Sequence, residues 1–475
     1  MKSVIPLLVC IQVGLFSAER DCRAENIAKP KGDRPNVLFI SIDDLNDWVG
    51  CLGGHPQTKT PNIDRLARKG VLFRNAHCTS AYCNPSRTSV LTGLRPSTTG
   101  VYDNPQRWTR APRLKNAVTL PQYFRAHGYR ALRGGKIFHS AHPPSWDEHF
   151  PTKTKFKPDQ AVATGQDFNK LADQIGRKGQ YDWGAIDVPD DATMDGQTAT
   201  WAAEQLMQSH QRPFFLAFGV VKPHEPWYVP QKYFAMHPRD QIVLPLTRKN
   251  DLEDVPAEAI KWAHNNNHYP IAVKNRVMSD IVQAYLATVS FVDAQVGRVL
   301  DALERGPNAK NTVVVLWSDH GYHLGTKEHI DKKTLWEEAT RVPLIIVAPG
   351  VTKKGGVSDR PVSLIDLYPT LMDLCALPPK QELEGESLLP QLKDPATPRI
   401  TPAITTVSFR SHSARDERWR YTRYGDGGEE LYDHRNDPHE WTNLANDPRY
   451  AAIKKRLRKS LPIKDASDAP RNSSE

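Results

Sequence analysis

Asp43, Asp44 and Asp319 are three hard carboxylates, two of them adjacent in the chain. Adjacent carboxylates repel each other unless a cation neutralises them. Oxygen donors of this kind select Ca2+ or Mg2+ over thiophilic metals. A second group is built on Cys83. Pro85 suits the first turn of a helix and Gly93 suits its end. Cys83 then lies at or just before a helix N-terminus, where N–H groups and the helix dipole favour an anion. Arg87, four residues on, lies beside it. Lys222 and His224 form a third polar group. Taken singly, each has an ordinary explanation: a carboxylate solvating a turn, a buried structural thiol, a surface lysine. Their common position relative to the predicted strands argues otherwise.

The compact apolar run from Asn36 to Ile42 reads as a buried parallel strand. Phe214 to Val220, Thr312 to Trp317 and Leu344 to Val347 read the same way. Asp43 and Asp44 follow the first run, Lys222 and His224 the second, Asp319 and His320 the third. In open parallel sheets, ligands bind along that carboxyl edge. Asn62 to Lys69 is predicted as a short helix capped by Asn62 and stopped by Gly70. Apolar residues at helical spacing predict a long helix over Arg276 to Glu304. Strands alternating with helices place the chain in the α/β class, with a mostly parallel sheet covered on both faces. Residues 151–200 and 222–275, rich in Pro, Asp and Asn, read as insertions that shape a cleft and set substrate choice. Beyond about Pro361, a helix from Leu364 to Cys375 precedes short strands at 403–409, 419–424 and 430–432, a small antiparallel subdomain. The expected organisation is a signal segment over 1–18, a catalytic domain over 35–360, a C-terminal subdomain over 361–462 and a frayed polar tail over 463–475.

The chain has 475 residues, a formal net charge of +9 and a pI of about 9.1. A basic balance favours anionic partners or simply solubility. No Arg/Lys block, RNA-binding aromatic motif or zinc-finger spacing selects nucleic acid. Lys2, the apolar run from Val4 to Phe16 and Ala18 resemble a secretory signal, and no later stretch is apolar enough to span a bilayer. The expectation is an exported protein that does not span a membrane. Of six cysteines, Cys10 leaves with the signal and the odd count of five leaves at least one unpaired in a closed monomer, namely Cys83 if that residue is chemically converted. Cys22, Cys51, Cys78 and Cys375 are then available to pair, with no spacing that says how.

The run from Cys83 to Gly93 reads C-x-P-S-R-x-x-x-L-T-G and resembles the signature of the type I sulfatases. The resemblance extends over roughly Pro35 to Asp447. It includes Ser41-Ile42-Asp43-Asp44-Leu45, Thr60 to Ala67, and Leu431-Tyr432-Asp433 with Asn436-Asp437-Pro438. It implies an alkaline-phosphatase-like α/β/α sandwich with a small C-terminal antiparallel sheet. It further implies that a formylglycine-generating or anaerobic sulfatase-maturating enzyme converts Cys83 to Cα-formylglycine. One hydroxyl of the hydrated aldehyde then attacks sulfur, and loss of the second hydroxyl's proton, to His139, releases sulfate. Within the family, Gly135-Lys136-Ile137-Phe138-His139, Lys222-Pro223-His224 and Ser318-Asp319-His320-Gly321 resemble the iduronate-2-sulfatase subfamily. Lys332 falls at that subfamily's downstream lysine, with Lys333 beside it, and Tyr102-Asp103 and Trp108 resemble its substrate-side loop.

The roles implied are these. Asp43, Asp44, Asp319 and His320, with formylglycine at 83, hold Ca2+ or Mg2+; His320 either binds the ion or orients the nucleophile. Arg87, Lys136 and His139 stabilise the diol and serve acid–base steps. Lys222, His224 and Lys332 hold the sulfate and assist the leaving alcohol. The substrate implied is a sulfated glycan, foremost a 2-O-sulfated uronate, with algal polysaccharides and small sulfate esters open. The compartment is periplasmic, secreted or lysosomal, according to the organism. A phosphomonoester or phosphodiester hydrolase of the same fold and an inactive sulfated-glycan-binding protein are the alternatives.

Overall fold

The computed structural model describes Met1, residues 34–151 and residues 181–471. The expected signal segment, Cys22 and most of the first expected insertion lie outside the described residues. Eight strands form the central sheet: β1 (Asn36–Asp43), β2 (Val71–Phe73), β3 (Arg130–Gly135), β4 (Glu148–Phe150), β5 (Phe214–Pro223), β6 (Thr312–Ser318), β7 (Leu344–Val347) and β8 (Gly356–Ser358). Their order is β8-β2-β7-β6-β1-β5-β3-β4. All neighbours pair in parallel except β7, which runs antiparallel to both β6 and β2.

Alternation along the central strands feeds two cores. Val37 and Phe39 of β1 and Val313, Val315 and Trp317 of β6 enter one core, with α2 (Cys83–Thr92). Leu38, Ile40, Ile42, Val314 and Leu316 enter the other. That face is covered by α1 (Pro61–Lys69), α3 (Met194–Met207) and α4 (Met278–Arg305). Continuous apolar strands therefore follow from burial on both sides. A second sheet, β9 (Ala403–Ser408), β10 (Ser411–Arg415), β11 (Trp419–Arg423) and β12 (Glu429–Asp433), is an antiparallel meander.

Several expectations need correction. The N-cap position of α1 is Thr60. Asn62 lies inside the helix, and its N–H and that of Ile63 donate to Asp293 of α4 at 3.0 and 2.8 Å. A distant buried acid thus replaces the local cap. Residues 194–207 belong to a core helix, with Ala199, Ala202 and Leu206 fully buried. β3 escaped detection because Arg130, Arg133 and two glycines interrupt its apolar pattern. β10 escaped because its sequence is polar, although all five residues are buried. The tail is not frayed as far as Arg471. Ala466 and Ala469 N–H groups donate to Ser97 O and Gly100 O, and Arg107 N–H to Pro470 O, at 2.7–2.8 Å. No disulfide forms among the described residues. No helix among them is long and apolar enough to cross a membrane.

Asp293 tests the long-range cap. Asp293→Ala leaves three donors unsatisfied and should destabilise the fold by about 2–3 kcal/mol in urea unfolding. Burial raises the Asp293 carboxyl to about 6, so the native state binds its proton more tightly than the unfolded state. Relative to Asp293→Asn, the parent chain should lose stability as pH rises from 3.8 to about 6.

Candidate active site

The site forms at the carboxyl ends of β1, β6 and β5. In a regular strand Asp43 and Asp44 would point to opposite faces. Here the pairing register of β1 with β5 shifts between Ile42 and Asp43, and Asp44 adopts φ 61°. This left-handed turn, which aspartate tolerates better than most residues, breaks the alternation. Both carboxylates end fully buried beside Cys83. Tyr285 Oη donates to Asp44 O at 2.8 Å and accepts from Asn46 N–H at 3.0 Å, fixing the turn.

Cys83 opens α2, which closes at Gly93 with φ 73° and its N–H on Ser89 O. The helix start is where Pro85 and Gly93 place it. The Asn84 N–H donates to Asn104 Oδ1 at 2.8 Å, and side chains dominate the field around the sulfur. His320 Nε2 is 3.3 Å and Lys332 Nζ 3.7 Å from Sγ, and the His139 ring lies beside it. His139 Nδ1 is buried without a partner. Burial would raise the Cys83 pKa, but Lys136, Lys332 and His320 hold it well below the usual thiol range.

Arg87 is fully buried beneath this cluster. Its Nε donates to Asp319 Oδ2 at 2.7 Å and its Nη2 to Asp43 Oδ1 at 3.0 Å. Nη1 donates to Ser41 Oγ, Lys136 O and Ile137 O at 2.9–3.0 Å. Arg87 therefore acts mainly as a strut between carboxylates, and most of its donors are engaged. Lys136 pairs with Asp43 Oδ2. Gly135 before it has φ 73°, and an added Cβ would lie 1.8 Å from Gly219 O. Only glycine permits β3 to approach β5 closely enough to deliver Lys136 and His139 to the site.

Lys332 Nζ donates to both oxygens of Asp44, at 2.8 and 2.6 Å. Lys333 points elsewhere, to Asp103 at 3.1 Å and over the Tyr82 and Trp262 rings. Of the two lysines, only Lys332 reaches the cluster. Lys222 Nζ donates to His224 O at 3.1 Å and to Pro226 O. It braces its own loop, and its backbone N–H is held by Asp195 at 3.0 Å. His224, with 28% of its side chain exposed, sits at the open side. Glu225 was not anticipated. Its carboxylate lies with those of Asp44 and the His224 ring within 4.8 Å, and Oε2 is buried without a hydrogen bond. Its only sequence signal was its place directly after Lys222-Pro223-His224. Tyr102 is also buried, its hydroxyl donating to Ala466 O of the tail at 2.8 Å.

Asp43, Asp44, Cys83 and His320 each present a ligand atom within 4.8 Å of the others, and all are buried. Asp319 stands beside that cluster. Its Oδ1 accepts the Asp44 and His320 N–H groups at 3.1 and 3.0 Å, and its Oδ2 accepts from Arg87. Burial raises Asp319 to about 7 against the pull of Arg87. Burial also raises Asp44 despite Lys332, whereas Lys136 and Arg87 overcome burial and hold Asp43 below the usual range. Burial opposes protonation of His320, yet Asp319, Cys83 and Asp44 carry it up to about 10. The donor set fits a hard divalent cation. Such an ion would neutralise the carboxylates and replace the His320 proton.

The C-terminal sheet braces the site from behind. Arg420 of β11, fully buried, pairs with Glu337 and with Glu440 at 2.6 Å and donates to Leu335 O at 3.1 Å. The segment so held accepts the Gly321 and Tyr322 N–H groups, directly after His320, at 2.9 Å.

A sulfatase family model matches residues 35–376, and a model of the N-sulphoglucosamine sulphohydrolase C-terminal region matches 325–466. A sulfatase of Formosa agariphila is 40% identical over 460 residues, spanning 93% of this chain and 89% of its own. The iduronate 2-sulfatase of Homo sapiens is 32% identical over 458 residues, spanning 89% and 79%. The phosphonate monoester hydrolase of Agrobacterium radiobacter superposes with a TM-score of 0.75 over 90% of this chain and 95% of its own. At 24% identity it shares the fold alone. The architecture is the alkaline-phosphatase-like α/β sandwich with a small C-terminal antiparallel sheet. The chain belongs to the sulfatase family.

Replacing Arg87 tests the strut. Arg87→Met leaves Asp43 and Asp319 buried without their shared counter-charge, and should destabilise the fold by about 3–5 kcal/mol in chemical denaturation.

Proposed function

We propose that this chain hydrolyses sulfate esters of saccharides at residue 83, with a 2-O-sulfated uronate as the preferred substrate. The observation that carries the reading is Cys83 at a helix start, ringed by Lys332, His320, Lys136 and His139. Matured to formylglycine, this position supplies a hydrated aldehyde with two hydroxyls on one carbon, so that sulfate can be expelled after attack. Asp43, Asp44 and His320, with Asp319 beside them, would hold Ca2+ or Mg2+, which would supply positive charge for a sulfate oxygen.

The remaining roles fall to protein groups. Lys332 and Lys136 place two ammonium groups around the reacting position and stabilise its negative charge. His139, with its unpartnered Nδ1, takes a proton from the residue at 83. Burial would lower the His224 pKa, but Glu225 carries it up to about 9. A protonated, partly exposed His224 suits proton donation to the leaving sugar oxygen. Lys222 supports this by holding the loop that carries His224. Because Cys83 is fully buried, its maturating enzyme must act before folding is complete. The uronate preference is supported by the Lys222-Pro223-His224 and Ser318-Asp319-His320-Gly321 motifs and by the identity to iduronate 2-sulfatase.

The test is sulfate release from a panel of defined sulfated saccharides, with the chain co-expressed with a formylglycine-generating enzyme. Selective loss of a uronate 2-O-sulfate, absent in Cys83→Ala, is expected. Release only from other esters would retain the chemistry and reject the uronate. The tryptic peptide Asn75 to Arg87 should be lighter than its cysteine form by about 18 Da. Independently, Ca2+ added at about 100 times its Kd should stabilise the unmatured chain by about 2.7 kcal/mol in thermal unfolding. Asp44→Asn should abolish that gain.

A further inference from the structure

A groove of about 1110 Å³ lies between the β8-β2-β7 end of the central sheet and the C-terminal sheet. None of the residues assigned to the reaction lines it. Seven arginines, four carboxylates and His434 line it; Arg341, Arg399 and Arg418 pair with carboxylates set behind the lining, Asp47, Asp366 and Asp433.

Most of these arginines are held in place by carboxylates. Arg418 grips Asp433 through Nε and Nη2, both at 2.7 Å, and Asp433 is itself buried. Arg74 grips Asp359 in the same way at 2.7 and 2.8 Å. In each, Nη1 is left for another acceptor. Arg456 engages only Nη2, on Asp416 at 2.5 Å. Arg435 is exposed and makes no ion pair among the described residues. Arg399, with 7% of its side chain exposed, has a buried Nε without a partner. Guanidinium groups fixed by carboxylates behind them lose little freedom when they bind an anion. Their planar forks match the oxygens of a sulfate group.

Topology places this groove relative to the chemistry. β2 and β8 run parallel with β1, and β7 runs against them. The residues after β2 (Arg74) and after β8 (Asp359), and Arg341 before β7, therefore lie on the same sheet edge as Asp43 and Asp319. β2 is three strands from β1, roughly 14 Å at the usual strand spacing. A polymer laid along that edge can reach both places. Trp419, at 6% exposure, offers no free ring face on which nucleic-acid bases would stack.

We propose that this arginine groove is an accessory binding site for a further sulfated stretch of the polysaccharide whose ester is cut at residue 83. The proposal rests on the glycan-sulfatase reading above. It is tested with the matured enzyme on two substrates, a long sulfated glycosaminoglycan and a sulfated disaccharide. In the Arg435→Glu/Arg456→Glu chain, the ratio of kcat/KM for polymer over disaccharide should fall about tenfold or more. In parallel, a sulfated oligosaccharide should bind the Cys83→Ala chain, and the same two substitutions and added salt should weaken that binding. An unchanged ratio with unchanged binding overturns the proposal. Equal binding of duplex DNA through the same arginines overturns the assignment to a glycan. If the parent enzyme releases sulfate from neither substrate, the sulfatase reading fails, and the Cys83→Ala binding comparison decides the groove alone.

Discussion

The arrangement depends on charge balance in a volume without water. Asp43, Asp44, Asp319 and Cys83 are packed together at zero exposure. Their mutual repulsion would scatter them if Arg87, Lys136, Lys332 and His320 were not interleaved among them. Arg87 is the central member, because its guanidinium ties Asp43 at the end of β1 to Asp319 after β6 through side-chain ion pairs. The balance is built from five separate chain segments, so neither half of it exists until the sheet has formed. The same crowding displaces several of these groups from their ordinary pKa values, which is what nucleophilic and acid–base chemistry needs.

Around that cluster, backbone devices do the aiming. The register shift and left-handed Asp44 bring two consecutive carboxylates to one side. Gly135 allows β3 to press against β5 and present Lys136. Asp195 on α3 holds the Val221 and Lys222 N–H groups at 2.8 and 3.0 Å, which shapes the loop bearing His224. The C-terminal sheet contributes through a second buried ion network on Arg420, which holds the chain behind His320. Candidate site residues on loops are thus positioned by carboxylates and carbonyls that belong to rigid elements.

Legibility from sequence followed local information. The strands at 36–42, 214–220 and 312–317 were readable because both their faces are buried and their apolar runs are unbroken. α2 was readable because Pro85 and Gly93 act within one turn of its ends. Where a partner is remote, the local pattern misled. Asn62 resembled a cap, yet Asp293, 231 residues away, accepts the N–H groups. The tail looked frayed because its partners, Ser97, Gly100 and Arg107, are invisible from its own composition. Residues 194–200 looked like part of an insertion because the burial of the helix they open is set by α4 rather than by a strong stripe of large apolar residues.

The sequence by itself determined the fold class, the sulfatase resemblance and the inventory of reactive groups. Each of these rests on residue types at short spacing: the run from Cys83 to Gly93, the Asp43-Asp44 pair, and the motifs at 135–139, 222–224 and 318–321. Tertiary structure alone decided which of those groups meet. It turned Lys332 rather than Lys333 toward Asp44, set Lys222 to bracing its loop, made Arg87 a strut between carboxylates, and brought in Glu225. The physical reason is that a side chain's role in a dry interior is fixed by which opposite charges and free acceptors lie within about 3 Å of it. Those neighbours come from strands far apart in the chain.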